Sequence, residues 1–318
     1  MPQGSVLGPL FFNIYLNDLF LLLNDIEISN YADDTTLYAC DDNLERVLQK
    51  LEVNSELAIF WFENNFMTLN TDKCKLVISG LKYEYTWVKI GTDIIWESNE
   101  VDLLGITLDS ELKFDKHINN ICTKANRKLT ILGRMSKYLS ENKKKILYKA
   151  FFESQFKYCP LVWMCHSRQA NARINRLHER ALRIVYDDHY SSFEELLIKD
   201  GSVKIHISNI QTLAIELYKI FNGLANDNFQ ELFEFNDCNF NLRNRRDLKV
   251  PLVKSFGKGE NSIRYFGALL WNTIPNEIKN VASLAIYKTK IRQWNPQYWP
   301  CRLCKNYIHG ISFVDIAN

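Results

Sequence analysis

The stretch Tyr31-Ala32-Asp33-Asp34-Thr35 places two adjacent carboxylates between two segments of β type. Side chains alternate over residues 26–31, and β-branched and aromatic residues follow over 35–38, so the pattern predicts two strands joined by a turn that carries the acid pair. Adjacent ionised carboxylates repel each other and are best tolerated with cations between them, and their hard oxygens suit Mg²⁺ or Mn²⁺. Taken alone, the pentapeptide is more typical of an ordinary surface turn.

The residues before this hairpin change that interpretation. Residues 2–10, Pro-Gln-Gly-Ser-Val-Leu-Gly-Pro-Leu, read as a glycine-punctuated loop, and the apolar segment 10–23 predicts a buried helix. A loop, an apolar helix and an acidic hairpin in this order resemble the palm of a reverse transcriptase, in the wording of the jockey/CR1-like non-LTR retrotransposons. The resemblance implies an α+β fold, with a partial polymerase palm (an antiparallel sheet with packed helices), a helical thumb-like region and a mixed C-terminal region.

The resemblance also assigns roles to residues near the acid pair. It implies that Asp33 and Asp34 are catalytic and bind Mg²⁺ or Mn²⁺. It implies that Gln3 and Gly4 lie against the incoming nucleotide and the template, where a backbone without a Cβ can approach a base pair closely. The implied partners are an RNA template and a DNA primer, and no protein partner is indicated.

Two further motifs follow the hairpin. Residues 66–75 resemble the family's "LNxxKT" motif, with Cys74 where threonine is usual. Lys73 is then a candidate cation near the triphosphate, which could protonate the leaving pyrophosphate; an exposed lysine before a strand is the alternative. Residues 101–109 resemble the motif that grips the primer end, and they predict one strand with Gly105 in its middle, at a bulge or a close backbone approach.

Charge is distributed unevenly along the 318 residues. The net charge is −12 over residues 1–110, +8 over 111–200 and +6 over 201–318. An acidic first third followed by a basic remainder suggests a metal-binding part and a polyanion-binding part. We predict three domains, namely a partial palm at 1–110, a helical thumb-like domain at 111–190 and a helical or mixed region at 191–318.

Helical periodicity begins near residue 114 and brings many cations with it. The arginines of the segment 171–186 recur at steps of three and four residues and therefore share one helix face, which predicts a stripe that follows phosphates. A helical bundle with cationic outer faces is the alternative. The candidate nucleic-acid contacts are Gly105, Lys124, Arg127, Lys128, Arg173, Arg176, Arg180 and Arg183.

Cysteine usage and hydropathy narrow the class of protein. Eight scattered cysteines with one CxxC do not form a disulfide framework. Cys301, Cys304 and His309 offer three ligands where a closed zinc site needs four, so we do not expect zinc there. The first residues lack the basic region typical of a signal peptide, so we expect none, and no apolar run is long enough to span a bilayer. We expect an intracellular protein, cytoplasmic or nuclear, without a membrane partner.

The resemblance covers essentially the whole chain, from the glycine-punctuated loop of the palm to the end, and it does not cover the front of such an enzyme. Two-metal phosphoryl transfer needs carboxylates from two strands, whereas Asp33 and Asp34 supply one side. Asp18 and Asp25 lie outside the strand that the chemistry needs. We therefore expect an N-terminally truncated RNA-directed DNA polymerase of a transposable element, without the fingers and the first catalytic-aspartate strand, and inactive as it stands. The alternatives are a nucleic-acid-binding remnant without catalysis and a pseudogene product without function.

Overall fold

The computed structural model describes residues 4–80, 86–236, 247–252 and 262–294. The chain divides into two compact units, unit 1 (residues 1–112) and unit 2 (residues 113–318). The predicted α+β class is confirmed, because antiparallel strands and helices both form. The predicted domain boundaries, including the one at residue 190, stay a prediction.

Unit 1 alternates helices with short hairpins. A 3₁₀ turn at Thr71–Lys73 follows the second helix. In chain order the elements are α1 (Gly8–Leu22), β1 (Glu27–Tyr31), β2 (Asp34–Tyr38), α2 (Leu44–Asn64), β3 (Trp87–Ile90), β4 (Asp93–Trp96), β5 (Glu100–Leu103) and β6 (Ile106–Asp109).

The strands of unit 1 pair antiparallel, as predicted for the palm-like region, and they do so in small sheets. In the described part of the chain they pair as three separate two-stranded sheets, β1 with β2, β3 with β4 and β5 with β6. Each strand has four or five residues and joins its partner through a tight turn. The backbone hydrogen bonds along one edge of each strand are therefore made with its hairpin partner. A single bridge between Leu76 and Glu97 adds a longer-range contact.

The prediction that the first helix is buried is wrong for much of its surface. Leu16 and Leu19 are buried, and they pack with Ala58 and Trp61 of α2. On other faces of α1, apolar side chains remain exposed, and Leu21 is 77% exposed. The described residues that pack on this helix come from α2, Met67 after it and the first hairpin, so a helix that is apolar nearly all round is buried on one side.

Unit 2 is helical. Its elements are α3 (Asp115–Met135), α4 (Glu141–Tyr148), a π-helical segment (Lys149–Glu153), α5 (Ser154–Lys157), α6 (Pro160–Trp163), α7 (Arg168–Tyr186), α8 (Phe193–Asp200), α9 (Ile205–Phe221), α10 (Ile263–Thr273), α11 (Asn276–Lys279) and α12 (Leu284–Gln293).

The core of unit 2 explains why these helices form where they do. The apolar positions of α3, α7 and the π-helical segment recur at helical spacing and are buried, as Leu129, Phe152 and Ile174 illustrate. A second group of buried residues joins α9, α10 and α12, where Tyr218 and Tyr287 stack with ring centroids 4.1 Å apart. A helical bundle therefore carries most of the buried apolar surface of the described chain.

Candidate functional site

The predicted acidic hairpin forms, with one correction to its turn. Tyr31 pairs with Asp34, so the two loop residues are Ala32 and Asp33, and Asp34 is the first residue of β2. The sequence pattern had predicted both acids in the turn. Ala32 has a φ of 54°, a left-handed conformation that a residue with a Cβ adopts at some cost. The tip of the hairpin is held in this shape by pairing on both sides of it.

The hairpin presents its acid pair outward. Ile28 and Leu37 pack toward the core of unit 1, and Asn30 Nδ2 donates to Thr35 Oγ1 at 2.8 Å on the same ladder. Asp33 and Asp34 are both exposed. Among the described residues, no hydrogen bond or ion pair involves either carboxylate. Two adjacent acids without cationic neighbours are a donor set that a hard divalent cation suits.

A second acid pair of unit 1 behaves differently. Asp41 lies 3.1 Å from the ammonium of Lys50 and 3.9 Å from the guanidinium of Arg46. The Lys50 hydrogen bond, helped by the amide of Asn43, lowers the pKa of the Asp41 carboxyl. Asn43 caps α2 by accepting a hydrogen bond from the amide of Glu45. Asp41 is thus an ion-paired structural acid, in contrast to Asp33 and Asp34.

The loop before α1 contains one of the two residues predicted to lie near the nucleotide. Gly4 has a φ of 82°, and an added Cβ would meet nothing within 4 Å. Its backbone conformation therefore requires glycine while its surroundings are open. Gln3 lies outside the described residues.

Lys73 ends the short 3₁₀ turn after α2 and is exposed. Its amide donates to the carbonyl of Asn70 at 3.1 Å, so the backbone of this motif is fixed locally. The ammonium group is accessible to an anionic ligand, and its role near the triphosphate stays a prediction.

The motif around Gly105 is a hairpin rather than one strand. Leu103 pairs with Ile106, and Leu104 and Gly105 form the two-residue turn with φ values of 48° and 81°. Two positive φ values are typical of the turn that matches the twist of paired strands, and they explain the glycine. The predicted mid-strand bulge is wrong because the turn lies at that position.

The predicted basic residues lie on two helices of unit 2. Lys124 and Arg127 are exposed on α3 and Lys128 is half-buried, while Arg173, Arg176 and Arg180 are exposed on α7. Two of these arginines are seven residues apart on α7, and two asparagines of α3 have the same spacing. Arg173 Nη1 donates to Asn119 Oδ1, and Arg180 Nη1 donates to Asn126 Oδ1.

Arg183 differs from the rest of the predicted stripe. Its Nη2 donates to Glu179 Oε1 at 2.6 Å, and its Nη1 donates to the carbonyl of Asp188 at 3.3 Å. The paired carboxylate compensates its charge. We therefore regard Arg183 as a structural residue of the end of α7, although the sequence pattern grouped it with the exposed arginines.

Comparison with known proteins adds to this geometry. The reverse transcriptase (RNA-dependent DNA polymerase) family matches residues 1–108, a range that contains the acidic hairpin and Lys73 and ends in β6. This part of the chain belongs to the reverse transcriptase family.

Relatives among curated proteins place the reverse transcriptase part among those of non-LTR retrotransposons. The RNA-directed DNA polymerase from mobile element jockey of Drosophila melanogaster is 29% identical over 129 residues, which are 38% of this chain and 14% of that protein. The jockey polymerase of Drosophila funebris is 27% identical over 58% of this chain and 21% of its own length. The probable RNA-directed DNA polymerase from transposon X-element of Drosophila melanogaster is 28% identical, with the same coverage.

The matched regions cover only part of each relative. The chain spans about a fifth or less of the length of these relatives. The jockey polymerase of Drosophila funebris aligns with 58% of this chain, whereas the family match spans residues 1–108, about a third of it. The similarity therefore also extends outside the reverse transcriptase part. No solved structure matches.

The three candidate zinc ligands, Cys301, Cys304 and His309, lie outside the described residues. In the ranges that the structure describes, no group of three or more His, Cys, Asp or Glu side chains is arranged to hold a metal ion. No described helix combines the length and apolarity needed to cross a membrane.

The sequence interpretation missed Asn119 and Asn126. They were not candidates because asparagine on a helix surface carries no charge. A signal was present, since both asparagines and both arginines are spaced seven residues apart, which is two helical turns. Recognising the pairs required knowing that α3 lies beside α7.

Proposed function

We propose that residues 1–108 form part of the polymerase site of an RNA-directed DNA polymerase of a jockey-like mobile element, acting on an RNA template and a DNA primer. In that reaction the primer 3′-hydroxyl attacks the α-phosphate of a deoxynucleoside triphosphate, a new P–O bond forms and pyrophosphate leaves. Asp33, with Asp34 beside it, would hold the Mg²⁺ or Mn²⁺ ion that neutralises charge on the phosphate oxygens.

One observation carries this proposal. The only acid pair that the family resemblance singles out lies exposed at a strained hairpin tip and lacks cationic partners among the described residues. The nearby pair of Asp41 and Asp42 gives one of its acids to an ion pair with Lys50. A divalent ion bound to the first pair would supply charge neutralisation to the phosphate oxygens. The paired strands β1 and β2 hold the two carboxylates next to each other at the hairpin tip.

Lys73 and Gly4 have supporting roles in the proposal. The exposed ammonium of Lys73 would neutralise or protonate the pyrophosphate oxygens as the bond to the α-phosphate breaks. The backbone at Gly4, open on the side where a Cβ would lie, would approach the template base pair, with Gln3 beside it.

At the acidic hairpin, the described residues supply Asp33 and Asp34 from one strand pair, without a third acid grouped with them. A two-metal centre also needs a carboxylate on an opposing strand to place its ions about 3.5–4 Å apart. In the part of the chain that the structure describes, no third acid joins Asp33 and Asp34 in a metal-binding group. We therefore propose that the 318-residue chain binds a divalent ion weakly and does not extend primers by itself.

The test combines metal binding with primer extension on the full chain. Paramagnetic Mn²⁺ should broaden the NMR signals of residues 31–35 first, and the variant Asp33→Asn/Asp34→Asn should abolish this effect. Asp42→Asn is the matched control from the other acid pair and should leave it intact. Selective broadening that persists without Asp33 and Asp34 would contradict the metal role.

Primer extension distinguishes the remaining outcomes. We expect no template-dependent product with Mg²⁺ or Mn²⁺. Extension that Asp33→Asn abolishes would show that this chain suffices for catalysis and would overturn the expected inactivity. Extension that Asp33→Asn leaves unchanged would overturn the assignment of the catalytic acid.

A second candidate function is nucleic-acid binding by unit 2. The exposed arginines of α7 and cations of α3 favour it, because these helices pack side by side and their charges share one surface. Binding to phosphates by counterion release would make affinity fall steeply with salt, without turnover. A salt-independent affinity, or none at low salt, would contradict this function.

The thiols are compatible with an intracellular location. Cys40, Cys74, Cys122, Cys159 and Cys165 are free in the structure, as expected for a reducing compartment. We propose a cytoplasmic or nuclear location, which fractionation of cells expressing the tagged chain would test.

A further inference from the structure

The surface between α3 and α7 is built around two cross-helix hydrogen bonds. Arg173 binds Asn119, and Arg180 binds Asn126, and both pairs join residues 54 positions apart. An identical offset means that the two helices run parallel. The two pairs are separated by two helical turns, roughly 10 Å. The two hydrogen bonds therefore orient two guanidinium groups along the line where α3 and α7 meet.

The chemistry of the acceptor leaves these arginines charged. An asparagine oxygen is neutral, so it orients a guanidinium without cancelling its positive charge. A carboxylate in the same place would form an ion pair, as Glu179 does with Arg183 at 2.6 Å. A guanidinium has five N–H donors, and each asparagine uses one. The remaining donors of Arg173 are available to an anion.

A cavity lies beside the first of these pairs. Its volume is about 280 Å³, and it is lined by Cys122, Thr123, Asn126, Arg173, Arg176 and Leu177. Two of these residues are arginines and none is acidic. The cavity is small for an organic cofactor and has the charge expected for a compact anion.

The other lining groups suit the same ligand. Arg176 uses its Nε on the carbonyl of Ala172 at 3.4 Å, which leaves its terminal nitrogens unused. The Thr123 hydroxyl donates to the carbonyl of Asn119 at 2.7 Å, so it does not compete for the arginines. Cys122 is fully buried, and burial raises its pKa to about 11, so the thiol adds no negative charge.

We propose that Arg173 and Arg176 together hold one backbone phosphate of a nucleic acid in this cavity, with Asn119 as the positioning residue of Arg173. The proposal rests on the nucleic-acid-binding function of unit 2 and names its central contact. A nucleic acid is favoured over a lone anion because further exposed cations, Lys124, Arg127 and Arg180, belong to the same two helices. A polymer with regularly spaced phosphates can reach several of them.

A double-mutant cycle on the full chain tests whether two arginines share one phosphate. The probe is a fluorescent 20-nucleotide RNA–DNA hybrid, and affinity is measured by anisotropy from 50 to 200 mM salt. We expect Arg173→Gln and Arg176→Gln each to weaken binding about tenfold, and the double variant to bind hardly worse than either. The slope of log affinity against log salt should fall by about 1 in all three.

Additive losses, with a slope change of about 2 in the double variant, would show two independent surface contacts and overturn the shared site. Arg264→Gln is the matched control, since it removes an exposed arginine of the same unit that lies near Glu234, at 3.5 Å. It should bind like the wild type. Thermal unfolding monitored by circular dichroism should show that all variants remain folded.

Asn119→Asp tests the positioning role without removing a basic residue. The new carboxylate would pair with Arg173, and binding should weaken about as much as in Arg173→Gln. Asn119→Ala should weaken it only about two- to threefold, because the charge remains. Equal binding by Asn119→Asp and the wild type would contradict the role of the neutral acceptor.

The remaining arms separate the ligand sources and the two proposed functions. A phosphoserine peptide or inorganic phosphate that binds this site as tightly as the hybrid would overturn a nucleic-acid site. If the wild type binds no hybrid, the nucleic-acid function of unit 2 fails as a whole. If the wild type binds and the arginine variants bind equally well, only the phosphate site fails. Primer extension and Mn²⁺ binding have no influence on these readouts.

Discussion

The two units of this chain bury their apolar side chains to different extents. Unit 1 carries the acidic hairpin and leaves many large apolar side chains exposed, among them Phe11, Ile14 and Leu21 of α1. Unit 2 also exposes single apolar side chains such as Ile198, but it buries a much larger core, in which Tyr148, Phe152 and Trp163 have no exposed surface. Buried apolar area is the main source of folding free energy. Unit 2 should therefore depend on its core and unit 1 on local pairing.

Local signals are indeed prominent in unit 1. Its three hairpins use two-residue turns in which Ala32, Gly91, Leu104 and Gly105 adopt positive φ values. Asn43 caps α2 through its side chain. Unit 2 has side-chain helix caps as well, at Ser167, Ser192, Ser262 and Ser283, and it adds a packed interior that contains the stacked rings of Tyr148, Phe152 and His178. The comparison predicts that equivalent substitutions have unequal consequences in the two units.

The largest contrast should come from truncating one leucine in each unit. Leu129→Ala removes a fully buried side chain from α3, and it should cost about 2–5 kcal/mol through lost transfer energy and a cavity. Leu21→Ala, at a residue that is 77% exposed on α1, should change stability by less than about 0.5 kcal/mol. Urea unfolding with hydrogen exchange can assign each change to its unit. Similar costs at both positions would remove the contrast.

Acid should weaken unit 2 before unit 1. Burial lowers the pKa of His178 from 6.5 to about 4, so between these values the unfolded chain binds a proton that the folded chain does not. Stability is therefore complete above pH 6.5 and falls as the pH drops toward 4, by about 3 kcal/mol in total. Residues 1–112 contain no histidine.

The measurement is the free energy of unfolding of unit 2 at several pH values between 4 and 7. His178→Phe keeps a ring in the stack and removes the titrating group, so the pH dependence should flatten even if overall stability changes. His189→Gln, at a residue that is 71% exposed, is the control and should keep the wild-type slope. An unchanged slope in His178→Phe would assign the acid effect to other groups.

Substitutions at a turn should shift unit 1 by about 1 kcal/mol in either direction. Leu104→Asn places a residue that tolerates left-handed backbone at a φ of 48°, and it should stabilise the β5–β6 hairpin. Gly105→Ala, at a φ of 81°, should destabilise the hairpin by a similar amount. Hydrogen exchange of residues 100–109 reports both effects. Destabilisation by Leu104→Asn together with stabilisation by Gly105→Ala would show that tertiary contacts, not the turn, fix this hairpin.

The smallest effect on stability should accompany a clear change in self-association. Leu21→Glu introduces a charge into the exposed apolar surface of α1 and should reduce concentration-dependent light scattering, with stability within about 0.5 kcal/mol of wild type. Ile198→Glu, at a residue that is 80% exposed in unit 2, should leave scattering nearly unchanged. Equal reductions from both variants would show that exposed apolar residues act alike in the two units.

Sequence patterns predicted much of the secondary structure and part of the site. The alternation around Asp33 predicted the first hairpin, and the helical periodicity that begins near residue 114 predicted α3. The patterns could not show that α1 would be covered on one side only, since an apolar residue does not reveal what lies against it. They also placed Gly105 inside a strand, because alternating residues on both sides of a two-residue turn look continuous.

The sequence alone determined the chemistry that is available: an exposed acid pair between β segments, cations concentrated after residue 111 and motifs in the order of a reverse transcriptase palm. Only the tertiary structure decided which of those groups keep their charge for a ligand. Asp41 and Arg183 each obtained a charged partner, whereas Arg173 and Arg180 obtained neutral ones. The physical reason is that electrostatic compensation depends on distances between helices and strands, which residue order along the chain does not specify.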